Sequence, residues 1–326
     1  MKISVVPQAE ATLDGVLFKL PEEYDPLIPL GVDRAFYHYL YKNLESEGHT
    51  VGTIDQISAT EADLLFFIGF RGGFEHYYEA IEEKNRPYLV FFTREPPAYT
   101  AQHAEKILIK LQNYFDQIIT WNDHFEQIPG FININLPVSP RQLRINNKED
   151  QPSFGEQNLL VNVSSRTGSD HPEELYTERE RIIEFYNENN PESFTLYGKN
   201  WDAKTYPADI QKELWRDLDT DVYQGLIDSK MDTYVNHRFA LAFENMTGIN
   251  GYVSEKIFDV FAARRVPVYW GASNIAEYVP EETYIDYREF GHPKQLHQYL
   301  SEMSKPEYKD YQVAIEQFLR DDTAQF

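Results

Sequence analysis

The stretch Phe239–Gly271, FALAFENMTGINGYVSEKIFDVFAARRVPVYWG, holds two apolar runs separated by a polar turn and an amphipathic segment. Phe239–Phe243 and Val266–Trp270 read as buried strands of a parallel sheet, because strands covered on both faces are continuous apolar runs. Between them stand Glu244, Asn245, Tyr252, Glu255 and Lys256. In MTGING, Gly248 and Gly251 let backbone N–H groups approach an anion closely. A helix expected from about Val253 aims its positive dipole end at the same place. Lys256, one turn in, is the conflict, since a cation is disfavoured at a helix N-terminus unless an anion faces it. A phosphate or carboxylate in the gap resolves it. The plainer alternative is that Glu255 and Lys256 are solvated and Lys256 pairs with a nearby acid.

Outward from this block the chain alternates apolar runs with amphipathic ones. KISVV, ADLLFFIGF, RPYLVFFTREPP and QIITWND read as strands. DRAFYHYLYKNLESEG, FEHYYEAIEEKN and AQHAEKILIKLQNYF read as helices, the first with Asp33 as N-cap and Gly48 as its stop. The polar stretch Ile145–Asn158 breaks the pattern and reads as a linker. The alternation then restarts with LLVNVSS, the helix EELYTERERIIEFYNEN, SFTLYG and a helical PADIQKELW. Beyond the quoted block come a strand ETYIDYREF and the helices PKQLHQYLSEM and EYKDYQVAIEQFLRD. Two doubly wound α/β halves follow, spanning residues 1–147 and 148–304, with a closing helix in 305–326 that could pack back on the first half. In such sheets ligands bind at the carboxyl ends of strands. Glu95, Ser164, Ser165, Arg166, Glu244 and Asn245 all follow strands.

With 326 residues, two domains are the natural expectation. A formal charge of −23 argues against a phosphate-backbone partner, because nucleic-acid binders carry a basic footprint. The chain has no cysteine, which excludes disulfides, zinc-thiolate sites and thiol nucleophiles. No apolar run reaches the length of a membrane span, and MKISVVPQAEATLDG does not read as a secretion signal; a cytoplasmic protein is expected. The nine histidines show no ligand spacing, and Asp217–Asp221 (DLDTD) reads as a solvated face rather than a metal cluster. Phe70–Tyr78 could line an acceptor pocket or simply join a strand to a helix.

The order of motifs is more specific than any one of them. Phe243-Glu244-Asn245, Tyr252-Val253-Ser254-Glu255-Lys256, Val266–Gly271, Asn274-Ile275, Tyr278-Val279-Pro280 and Ile285-Asp286 together resemble the signature of the family-10 glycosyltransferases, the α1,3/α1,4-fucosyltransferases. Ser254 replaces the family's usual Thr and keeps its hydroxyl. Upstream, FTLYGKNW with Tyr197, a polar helix carrying Lys230, and LYTERERIIEFY are similar to family elements more weakly.

The resemblance implies a GT-B fold, with two Rossmann-like domains facing a central cleft. It also implies inverting transfer of L-fucose from GDP-fucose to a hydroxyl of an oligosaccharide acceptor, without a required metal or other cofactor. Arg179 and Lys256 would neutralise the departing diphosphate, with Arg181 as the alternative to Arg179. Asn245 and Tyr252 would bind donor oxygens and Glu255 donor hydroxyls. Ser164, Ser165, Tyr197 and Lys230 would border the donor. Glu95 would be the general base, its pKa raised by partial desolvation; pairing with Arg94 at a strand exit is its plainer role. Use of another GDP-sugar, or nucleotide or carbohydrate binding without catalysis, remains the alternative.

Overall fold

In the computed structural model, residues 1–8, 10–19, 34–69, 74–82, 85–138, 152–201 and 221–321 are described. The chain divides into two compact units, Met1–Pro140 and Arg141–Phe326. The expected boundary at 147/148 and the first half of the expected linker, residues 145–151, lie outside the described residues, as do Asp33, Phe70, Asp217 and PADIQKELW.

The first unit contains β1 (Lys2–Val6), α1 (Arg34–Ser46), β2 (Thr50–Thr53), β3 (Leu64–Ile68), α2 (Phe74–Glu82), β4 (Tyr88–Phe92), α3 (Glu105–Leu111), β5 (Gln117–Thr120) and β6 (Phe131–Asn133). Its sheet runs β2-β1-β3-β4-β5-β6 and every pairing is parallel. Leu65, Leu89, Phe91 and Ile118 point into one core and Val5 and Ile68 into another, so helices are needed on both faces. Gly48 stops α1 as expected, with a positive φ of 84°. Two strands were not expected from the sequence. Thr-Val-Gly-Thr at β2 is polar enough to sit at the sheet edge, and Phe-Ile-Asn at β6 is too short to show a period.

The second unit contains β7 (Asn158–Val163), α4 (Tyr176–Asn189), β8 (Phe194–Tyr197), α5 (Lys230–Tyr234), β9 (His237–Phe243), α6 (Glu255–Ala262), β10 (Val266–Trp270), β11 (Ile285–Asp286), α7 (Pro293–Glu302) and α8 (Lys305–Asp321). The sheet order is β11-β10-β9-β7-β8, again all parallel. The two apolar runs of the quoted block are its adjacent central strands, registered from Val266 opposite Phe239 to Trp270 opposite Phe243. ETYIDYREF yields only a two-residue strand. Thr283 closes one flanking turn on the Pro280 carbonyl, and the Asp286 side chain caps the next by accepting from the Arg288 N–H. α4 buries Tyr176, Arg179, Ile182, Ile183 and Tyr186, one stripe at helical spacing.

The closing helix α8 belongs to the second unit, and the packing described for it lies there. Phe318 packs on Phe258 and Phe261 of α6, and Tyr308 Oη donates to the Arg238 carbonyl at 2.9 Å. Among the described residues, no helix is long and apolar enough to cross a membrane.

Candidate functional site

In the second sheet the chain winds outward in opposite directions from neighbouring β7 and β9, which makes their carboxyl ends the topological switch point where such sheets bind ligands. β7 delivers Ser164, Ser165 and Arg166 to this edge, and β9 delivers Glu244 and Asn245.

Glu244 is the centre of the arrangement, and its side chain is fully buried. Its Oε1 accepts from the Ser254 N–H at 2.8 Å, and Oε2 accepts from Ser254 Oγ at 2.7 Å and from Lys256 Nζ at 3.2 Å. Ser254 caps α6, and its Oγ also accepts from Lys256 Nζ at 3.0 Å. The anion that lets Lys256 stand at a helix start is therefore the chain's own Glu244 carboxylate. The expectation of open N–H groups waiting for a phosphate is corrected accordingly: Ser254 N–H is engaged by Glu244, and Gly251 N–H donates to Asn274 Oδ1 at 3.0 Å. The helix begins at Glu255, two residues later than expected, because Ser254 is the cap.

Arg179 arrives from α4 and is 5% exposed. Its Nη2 donates to the carbonyls of Phe243 at 3.0 Å and Glu244 at 2.9 Å. Among the described residues its Nη1 and Nε make no hydrogen bond. Burial pulls the guanidinium pKa below the usual arginine value, and nearby Tyr176, Glu244 and Tyr252 oppose that pull. The two expected diphosphate cations thus converge on one residue, Arg179 on the Glu244 carbonyl and Lys256 on its carboxylate. The start of α4 is already occupied, since Glu174 Oε2 accepts from the N–H groups of Tyr176 at 2.6 Å and Thr177 at 3.0 Å.

Around this pair, Tyr252 is buried and lies close enough to Arg179 to influence its charge. The side-chain amide of half-buried Asn245 has no hydrogen-bond partner among the described residues. Glu255 Oε1 lies 3.9 Å from Lys256 Nζ. Ser164 Oγ accepts from Asn162 Nδ2 at 3.0 Å, its N–H donates to the Tyr197 carbonyl, and Ser165 is exposed. Arg181 does not join the group. It lies on the outer face of α4, paired with Glu178 at 3.2 Å. Lys230 is engaged by Asp259 of α6 at 2.6 Å.

Glu95 lies in the first unit, half-buried in the loop after β4. Two donors fix its backbone: His103 Nδ1 to the Glu95 carbonyl at 2.6 Å, and Trp121 Nε1 to the Arg94 carbonyl at 3.0 Å. Burial lowers the His103 pKa to about 4, so the ring is neutral near pH 7 and donates from Nδ1. Arg94 leans over the Tyr37 ring at 6.0 Å.

Glu244 received no role from the sequence. The signal available was the conflict at Lys256 together with an acid standing directly at the end of an apolar strand. Gly271 belongs to the same device. A Cβ there would lie 2.5 Å from Tyr269 Oη and would overlap Glu244 Cγ. Gly271→Ala is expected to destabilise the second unit by about 1–3 kcal/mol, the usual cost of overpacking. Chemical denaturation measures this, and an unchanged midpoint would show that Glu244 can move aside.

The fold defined by these two parallel-sheet units is GT-B. An α1,3-fucosyltransferase structure aligns over 99% of this chain and 91% of its own, with TM-score 0.56 and 15% identity. An Anabaena protein solved with UDP and glucose aligns over 98% and 94%, with TM-score 0.56 and 13% identity.

Residues 190–314 match the glycosyltransferase family 10 (fucosyltransferase) C-terminal domain. An α-(1,4)-fucosyltransferase from Arabidopsis thaliana is 38% identical over 68 residues, 21% of this chain and 17% of that protein. A mouse 4-galactosyl-N-acetylglucosaminide 3-α-L-fucosyltransferase is 29% identical over 114 residues, 32% of each chain. An α-(1,3)-fucosyltransferase from Helicobacter pylori is 31% identical over 64 residues, 20% of this chain and 13% of that one. The matches to these relatives span a third of their length or less.

Proposed function

We propose that the chain is an inverting fucosyltransferase that moves L-fucose from GDP-fucose to a hydroxyl of an acceptor glycan, forming an α1,3 linkage. The observation that carries this reading is the convergence of Arg179 and Lys256 on Glu244 at the switch point of a family-10 domain. Two cations there suit a pyrophosphate in an otherwise acidic chain. Arg179 would offer its unengaged Nη1 or Nε as a donor and Lys256 a point charge. Asn245, with its amide unengaged, Tyr252 and Glu255 would bind the remaining donor oxygens.

In the reaction the acceptor oxygen attacks C1 of fucose, and the C1–O bond to phosphate breaks. The bonding pair leaves with GDP, and the acceptor proton passes to Glu95. The protein's contribution is orientation and charge stabilisation of the leaving group. With two fixed cations at the pyrophosphate no divalent ion is needed, and we place the reaction in the cytoplasm.

The test is donor consumption with GDP-fucose, GDP-mannose and UDP-glucose, each with and without EDTA, on an array of acceptor glycans. Transfer from GDP-fucose alone, retained in EDTA, is the expected result. Consumption of GDP-mannose in its place would overturn the donor assignment, and loss of activity in EDTA that Mg²⁺ or Mn²⁺ restores would overturn metal independence.

A further inference from the structure

We infer that Glu244 and Ser254 are positioning residues for Lys256, a built-in anion and hydroxyl that hold the ammonium where a nucleoside diphosphate's pyrophosphate is to meet it. This rests on the proposed GDP-sugar site.

The geometry is specific. A carboxylate with no solvent exposure is costly unless paired and hydrogen-bonded. Glu244 has three donors, the Ser254 N–H, the Ser254 hydroxyl and Lys256 Nζ. The Ser254 hydroxyl bridges, donating to Glu244 and accepting from Lys256. Lys256 Nζ therefore has two fixed acceptors, although its side chain keeps 26% exposure. A lysine has four rotatable side-chain bonds, and fixing its ammonium before the ligand arrives removes an ordering cost from binding. The same carboxylate offsets the charge of Lys256 at the start of α6, where an unaccompanied ammonium would meet the helix dipole. Gly271 leaves the room that Glu244 occupies, so strand β10, loop and helix all converge on one side chain. Glu244 does not need to touch the nucleotide.

The experiment measures dissociation constants of GDP and of guanosine for the full chain and for Lys256→Ala, Glu244→Gln and the double variant, with thermal melting of each. Lys256→Ala is expected to weaken GDP about ten- to a hundredfold, the worth of a charged hydrogen bond. Glu244→Gln is expected to weaken GDP by a similar factor and leave guanosine within twofold. The double variant should bind GDP no more weakly than Lys256→Ala, because both changes remove one interaction. Equal losses for GDP and guanosine in Glu244→Gln, or additive losses in the double variant, would reduce Glu244 to a structural role and overturn the inference while leaving the donor site standing. A wild-type chain that binds no GDP would overturn the site and the inference together.

If Glu244→Gln does not fold, Ser254→Ala and Ser254→Thr decide. Ser254→Ala should weaken GDP about two- to tenfold through the lost bridging hydroxyl, and Ser254→Thr should restore it. Wild-type GDP affinity in Ser254→Ala would overturn the inference.

Discussion

Lys256→Ala is expected to lower kcat for fucosyl transfer roughly a hundred- to a thousandfold, the usual loss when one preorganised charge is removed from a developing anion. Negative charge grows on the departing phosphate as the C1–O bond breaks, so the ammonium stabilises the transition state more than the bound donor. The fall in kcat should therefore exceed the rise in KM. The variant also leaves Glu244 buried without its cation. Removing one member of a buried pair costs about 3–5 kcal/mol when nothing else engages the partner. Glu244 keeps both Ser254 donors, which reduces that cost. Melting curves establish that the variant is folded, and steady-state kinetics with GDP-fucose then read the catalytic loss. Lys256→Arg is expected to recover only part of the rate, since a planar guanidinium cannot occupy the space between Glu244 Oε2 and Ser254 Oγ as a compact ammonium does. A folded Lys256→Ala enzyme with wild-type kcat would remove Lys256 from the reaction.

The parts of this molecule legible in sequence were those with a strong local cause. Buried parallel strands such as Phe239–Phe243 have no polar face, so they stood out as unbroken apolar runs. α4 placed Arg179 on the same stripe as Ile182, Ile183 and Tyr186, and that spacing selected it over Arg181. The misplaced elements lacked such a cause. β2 has one Val among Thr and Gly, and the aromatic-rich stretch around β11 is mostly turn because Thr283 and Asp286 satisfy the backbone locally. The site shows the same division. The lysine at the start of α6 signalled that an anion must face it. It could not say that the anion was Glu244, because Glu244 and Ser254 are ten positions apart in sequence and only the folded loop brings them together. Long-range closure of that kind is set by Gly271, whose carbonyl accepts from Thr247 Oγ1 of the loop, and by Asn274, whose Oδ1 accepts from the Gly251 N–H.

Glu95→Gln is expected to reduce kcat by about two to four orders of magnitude, the range a positioned general base supplies. The amide has nearly the same shape and can still hydrogen-bond, but it cannot take the acceptor proton. The backbone bonds from His103 and Trp121 are made to the carbonyls of Glu95 and Arg94, so the substitution leaves them in place. Glu95 and the donor residues belong to different compact units, and the two roles should separate in measurement. Glu95→Gln should bind GDP with wild-type affinity while transferring slowly, whereas Lys256→Ala should be impaired in both. Proton acceptance by Glu95 further predicts that the acidic limb of the wild-type pH–rate profile disappears in the Gln variant. His103 supplies a control for that limb. Its pKa is depressed to about 4 by burial, so the stability it contributes is complete above the ordinary histidine value and is lost as pH falls through about 4. Rates are therefore to be compared above pH 6.5, where neutral His103 holds the loop in both proteins. A Gln variant that transfers fucose at the wild-type rate there would show that another group accepts the proton. One that fails to bind GDP would show that Glu95 serves the donor and not the acceptor.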